Sequence, residues 1–153
     1  MVERAHVDEE FSKACEALVD AQSLAESGGS DAGIVNRLYY ACFHAAQAAL
    51  YDRGVDPSSH GAVRNRFGEH LVLDGELSRD HGRLLTTLAD LRQQADYGYA
   101  PIDEDVDALA DRTRAFVDEI GALLDIEPGQ RPPLALRSGG RTDRLTAALT
   151  ASQ

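Results

Sequence analysis

Arginine and histidine are the residue types here whose spacing invites a chemical reading. Among fourteen Arg and five His, three pairs place a His six or seven positions after an Arg: Arg37 with His44, Arg53 with His60, and Arg64 with His70. An Arg and a His held together suit cleavage of RNA without a metal. That reaction needs a base for the 2′-hydroxyl, an acid for the leaving oxygen and a fixed cation for the charge that builds on phosphate. Histidine exchanges protons near neutral pH, and arginine offers a two-pronged donor to phosphate oxygens. Spacing alone decides nothing, because about 1.4 such pairs arise by chance at this composition.

Helical geometry separates the pairs. Arg37 and His44 are seven apart and so lie about 20° from each other on a helix, with Ala41 and Ala48 on the same face leaving room for a neighbour or a ligand, and Tyr40 flanking it. The bland alternative is a polar ladder, with His44 hydrogen-bonded and Arg37 paired with an acid from another helix. Arg64 and His70 would sit about 120° apart on a continuous helix, converging only if the first turn is irregular. They form a secondary set. Their bland reading is a solvated Arg and a His at the edge of the core. Arg53 to His60 spans the Gly54–Pro57 turn and reads as coincidence.

The elements that must position these residues are helical throughout, with no strand-type alternation and no Asn-Gly hairpin signal. A first helix is expected from Asp8 to Glu26, with Phe11, Cys15, Leu18, Val19 and Leu24 inward, stopped by Gly28-Gly29. Ser30 and Asp31 start a long second helix to Asp52, ended by Gly54 and Pro57. Apolar over most of its girth, it should be the centre of the bundle. Ser58 or Ser59 begins a shorter helix to Leu73, though Gly68 would loosen it. Ser78 caps a fourth helix running to Tyr97, and a fifth starts at Asp103 and runs to Leu124. His81, near a helix start, is expected to be solvated. The whole reads as an all-α, up-and-down bundle of about five helices over residues 1–126. From Glu127 the prolines, Gly139-Gly140 and four arginines against two acids give a tail at about +2, expected to be flexible and largely disordered over 127–153.

A net charge of −11, with sixteen Asp against ten Glu and the single lysine Lys13, disfavours broad electrostatic binding of nucleic acid. Any RNA contact must be local. An Asp-rich, Lys-poor surface suits a high-salt cytoplasm. No apolar run has membrane-spanning length and no signal peptide opens the chain, so the expectation is a cytoplasmic protein. Cys15 and Cys42 fall inside apolar helical patterns and read as buried, reduced thiols. The histidines lack metal spacing, and Gly28-Gly29 lacks the lysine of a phosphate loop, so neither metal nor cofactor is expected.

Three blocks occur in order: Asn36-Arg37-Leu38-Tyr39-Tyr40-Ala41-Cys42-Phe43-His44, then His60-Gly61-Ala62-Val63-Arg64 with Phe67 to Val72, then Leu91-Arg92-Gln93-Gln94-Ala95-Asp96-Tyr97. They resemble the prokaryotic HEPN domain family across about Asp8 to Leu124. The resemblance implies a helical bundle, commonly a homodimer, with one of two roles. Members resemble metal-independent ribonucleases, or toxin-like or accessory partners of a minimal nucleotidyltransferase in toxin–antitoxin or defence pairs. In some pairs the transferase attaches AMP to a tyrosine near the active site. On this basis Arg37 and His44 are the first catalytic candidates, with Arg64 and His70 second. Tyr40, Arg92 and Asp96 are candidate nucleotide or RNA contacts, and Tyr97 and Tyr99 candidate sites of modification. Where ribonuclease-type relatives carry Arg, then His, then Tyr, this chain reads Arg92, Asp96, Tyr97. An Asp shuttles protons poorly at neutral pH unless its pKa is strongly raised.

Overall fold

The first helix of the computed structural model, α1, runs Arg4–Glu26 and buries Val7, Phe11, Ala14, Ala17, Leu18 and Ala21, a stripe recurring every three or four residues. The structure describes residues 3–98 and 101–131. The helix begins a turn earlier than its periodicity predicts. Val19 departs from expectation, being 64% exposed. It sits one position past Leu18, and the 100° step turns it out of the stripe. At its C-terminus Gly28 takes φ +77°, Gly29 donates to Leu24 O and Gly28 to Ala25 O. This six-to-one and five-to-two pair of bonds closes the helix.

The second helix, α2, spans Asp31–Asp52, as its cap and stop residues predict. Ser30 Oγ accepts from the Gly33 N–H at 3.0 Å. Gly54, again at φ +77°, ends it through the same bond pattern, with Val55 donating to Leu50 O. Leu38, Ala41, Cys42, Ala45, Ala46, Ala48 and Leu50 are fully buried, and all four other helices pack on α2. It is the axis of the bundle.

The third helix is the largest departure. In place of one helix to Leu73, α3 covers only His60–Phe67, and Gly68–Val72 form a π turn. The wider turn begins at Gly68, where no β carbon resists a change of pitch. It still leaves Phe67 and Leu71 inward. The fourth helix, α4, is Arg79–Tyr97, burying Leu84, Leu85, Leu88 and Leu91. Ser78 occupies the cap position, but its side chain makes no cap hydrogen bond.

The fifth helix, α5, starts at Val106 rather than Asp103 and ends at Leu123. Asp105 is the residue whose carboxylate accepts from the Ala108 N–H at 3.1 Å, so the helix starts after it. Phe116 of α5 meets Phe67 of α3 at 5.4 Å between ring centres. His81, expected in solvent, has a side chain only 12% exposed. Its Nε2 lies 2.6 Å from Glu119 Oε2 and its ring meets Phe116 edge-on, which ties α4 to α5. The all-α, five-helix bundle thus stands, with no strand among the described residues. The expected tail lies outside them, apart from a short 3-10 turn at Pro128–Gln130 and Arg131.

Candidate functional site

On one side of α2 the residues Tyr39, Tyr40, Phe43 and His44 fall at i, i+1, i+4 and i+5. Helical geometry lays each side chain near the one four positions on. Tyr39 stacks toward Phe43 at 6.0 Å and Tyr40 toward His44 at 6.1 Å, while Tyr39 meets Tyr40 and Phe43 meets His44 edge-on. The result is two short columns of rings side by side.

Two other helices close on this surface. Ser59 caps α3 by accepting from the Ala62 N–H at 3.1 Å, which pins His60 in the first turn. The His60 ring stacks on Phe43 at 4.1 Å and 27°, and its Nδ1 lies 3.1 Å from Tyr39 Oη. From α4 the Arg92 guanidinium lies over both tyrosines, 5.1 Å from the Tyr39 ring and 5.4 Å from Tyr40. Arg37 approaches the Tyr40 ring at 5.1 Å, so Tyr40 meets two cations. Such contacts favour a cation through the negative face of the ring.

Between these helices opens a cleft of about 290 Å³, walled in part by Tyr39, Phe43, His60, Arg64, Arg92 and Tyr97. Arg92 Nε is buried with no hydrogen-bond partner among the described residues. Asp96 Oδ2, 3.9 Å away, is near enough to balance charge but too far for a bond. Burial and the charges of Arg92 and His44 push the His60 pKa below the usual histidine value, so its ring is largely neutral at pH 7. Burial holds the Tyr39 phenol above its ordinary value, despite the opposing pull of Arg92 and Arg64, and it keeps its proton.

Arg37 and His44 share a face, as their spacing predicts, and both flank Tyr40, but neither lines the cleft. Among the described residues Arg37 pairs with no acid from another helix: its Nε and Nη2 donate to Asn36 Oδ1 at 3.1 and 2.7 Å. His44 Nδ1 lies 2.7 Å from Glu10 Oε2 of α1, and Lys13 Nζ stands 3.6 Å from the same carboxylate. Burial raises the Glu10 pKa, but the His44 bond, the His44 charge and Lys13 together outweigh it, and the net direction is down. The room beside Ala41 and Ala48 is taken by the packing of the bundle and not left for a ligand, since both are fully buried.

Arg64 lines the cleft while His70, half-buried in the π turn, does not, so that pair is not brought together there. Arg92, Asp96 and Tyr97 follow one another along the last turns of α4, with Tyr97 83% exposed at the rim of the cleft. Tyr99 lies outside the described residues. His60, set aside on spacing grounds, is the imidazole that lines the cleft. The available signal was the Ser59 cap, which places His60 at the start of a helix facing the aromatic side of α2. Among the described residues no group of three His, Cys, Asp or Glu is placed to hold a metal. Burial pushes the Cys15 thiol up to about 11 and Cys42 higher still, so neither is a ready nucleophile.

A bundle built on one buried axial helix, with a cationic and aromatic cleft at the α2–α3–α4 junction, defines a class of small helical domains. Residues 7–123 match the family model described as the HEPN domain, and the chain belongs to that family. A Methanocaldococcus jannaschii protein named "Putative toxin" is 35% identical over 91 residues, 59% of this chain and 68% of its own length. A "UPF0332 protein" of Thermotoga maritima is 29% identical over 115 residues, covering 74% and 86% of the two chains. Another, from Pyrococcus horikoshii, is 41% identical over 71 residues, covering 46% and 49%. None of the described helices is long and apolar enough to cross a membrane.

Proposed function

We propose that this HEPN protein is the toxin-like member of a toxin–antitoxin or defence-type pair, and that its partner is a minimal nucleotidyltransferase. The observation that carries this reading is Tyr97. Its ring stands 83% exposed at the rim of a cleft walled by Arg64 and Arg92. A phenol so placed is open to an incoming nucleotidyl group, and two guanidiniums beside it favour the phosphate that would arrive. AMP attached there would fill the mouth of the cleft and neutralise its charge, turning it off. The toxin name carried by the Methanocaldococcus jannaschii relative supports the same class. The protein is expected to act in the cytoplasm as a homodimer. Co-expression with a minimal nucleotidyltransferase should add the mass of one AMP, mapped to Tyr97 by peptide sequencing. Unchanged mass beside an active transferase would overturn the assignment.

The cleft also favours a second reading, for what the partner restrains. His60, Arg64 and Arg92 in one cavity supply a proton-transfer group and two phosphate-binding cations, the parts a metal-independent endoribonuclease needs. The exposed Tyr97 ring at the rim suits stacking on an unpaired base, so single-stranded RNA is the fitting substrate. The whole chain carries −11 while Arg64 and Arg92 stand together in the cleft, so binding would be local to it. Cleavage of single-stranded RNA in the presence of a chelator tests this reading.

A further inference from the structure

RNA cleavage in this cleft requires a proton acceptor within reach of the phosphate held by the guanidiniums. One turn on from Arg92, α4 carries Asp96, and its carboxylate already balances Arg92. The imidazole comes from another helix. Building on the ribonuclease reading, we propose that His60 is the general base of the cleft, that Arg92 and Arg64 hold the scissile phosphate, and that Tyr39 orients the imidazole.

The orientation is built in. Phe43 covers one face of the ring at 4.1 Å, and Tyr39 Oη engages Nδ1 at 3.1 Å. When Nδ1–H donates to that oxygen, Nε2 keeps its lone pair, and among the described residues it makes no hydrogen bond with the protein. One ring nitrogen is spent on position and the other is left for chemistry. Tyr39 is itself 4% exposed and keeps its proton, so it acts on substrate only through His60.

The charge environment favours the base form. The groups facing His60 are Tyr39, Tyr40 and His44 from α2, Arg64 from its own helix and Arg92 from α4. Glu10, the acid of α1 in this region, is engaged by His44 and Lys13. Among the described residues no carboxylate bonds to His60 to hold a proton on it. Burial and the charges of Arg92 and His44 act in the opposite sense, lowering its proton affinity. His44, by contrast, has its Nδ1 committed to Glu10 and lies outside the cleft walls.

In the reaction, the 2′-oxygen of the RNA attacks the adjacent phosphorus while His60 Nε2 takes the hydroxyl proton. The O2′–P bond forms and the P–O5′ bond breaks. The departing O5′ takes a proton from solvent water, and the imidazolium returns its proton to the hydroxide left behind. The products are a 2′,3′-cyclic phosphate and a 5′-hydroxyl end, with nothing oxidised or reduced.

The test uses the full chain and a fluorescent single-stranded oligoribonucleotide, in chelator, between about pH 5 and 8. His60→Gln should lower kcat by roughly 100-fold or more with KM nearly unchanged, and abolish the low-pH fall in kcat/KM shown by the parent. Added imidazole should restore part of the activity of His60→Ala. A Tyr39→Phe variant, which keeps the packing, should retain cleavage but shift the low-pH limb. If the parent protein cleaves and both His60 variants match it, the inference is overturned while the ribonuclease reading stands. Loss of activity in His44→Gln alone would likewise overturn it and point to the other imidazole. If the parent leaves the RNA intact, the ribonuclease reading itself falls and this assignment with it.

Discussion

Replacing Arg92 by Met separates the fold from the site. Methionine keeps most of the unbranched stem and its packing, and removes the charge. The parent guanidinium contributes cation–π attraction to two rings at 5.1 and 5.4 Å, together about 1–2 kcal/mol. Its pairing with Asp96 at 3.9 Å is partly solvated and adds a few tenths at most. Against this, Arg92 Nε is buried without a partner, a cost of about 1–3 kcal/mol that the substitution removes. A thioether beside two tyrosine rings recovers up to about 1 kcal/mol more. The opposing effects nearly cancel, so urea unfolding followed by circular dichroism should show a stability change within about 1 kcal/mol. RNA binding should respond differently. Losing a charge-assisted bond to phosphate costs about 1.5–3 kcal/mol, or roughly 10- to 150-fold in Kd. The slope of log K against log salt should fall by less than about 1, as for one lost phosphate contact. Fluorescence anisotropy with a non-cleavable 2′-O-methyl oligonucleotide reads both. A variant destabilised by more than about 3 kcal/mol that binds the oligonucleotide as before would make Arg92 a structural tie and remove its role toward phosphate.

Three further outcomes test the scaffold and the rim. Glu10, whose pKa is depressed by His44 and Lys13, stabilises the fold fully above the ordinary carboxylate value, and that stability fades as pH falls through its lower folded-state value. Glu10→Gln should therefore cost about 1–2 kcal/mol at pH 7 and flatten the acid limb of the unfolding midpoint against pH. Gly54→Ala forces a β carbon into φ +77° and should cost about 1–2 kcal/mol by urea titration, with the cleft unaltered. Tyr97→Phe should leave the melting temperature unchanged, because the side chain is 83% exposed, and should remove AMP addition by a partner transferase.

The architecture was most legible where local chemistry and burial agree. Ser30 at one end of α2 and Gly54 at the other mark the helix to the residue, and the residues between are apolar nearly all round because four helices pack on them. Legibility failed where one residue has two descriptions. Val19 is apolar and adjacent to a buried stripe, yet one helical step carries it into solvent. Gly68 suggested a loosened helix, but nothing in its composition specifies a π turn rather than a kink. The site divides along the same line. Contacts within α2, such as Tyr40 beside Arg37 and His44, follow from periodicity. Contacts between helices do not: His60 meets Phe43 and Tyr39 only because the Ser59 turn folds α3 back onto α2. Spacing along the chain offers His60 only the coincidental Arg53, whereas the fold brings Arg92 to it, thirty-two positions on. His81 repeats the pattern at the edge of the core, its imidazole held between helices by Glu119 and Phe116 of α5.

If RNA or its nucleotides meet this protein, they should do so at the cleft between α2, α3 and α4. Titrating the isotopically labelled full chain with a short single-stranded 2′-O-methyl oligonucleotide, and following side-chain imidazole and guanidinium resonances, addresses that directly. Saturable shifts at His60, Arg64 and Arg92, with His81 and the outer face of α1 unmoved, are the predicted result. Shifts confined to other surfaces, or none at concentrations where binding is detected by anisotropy, would contradict it.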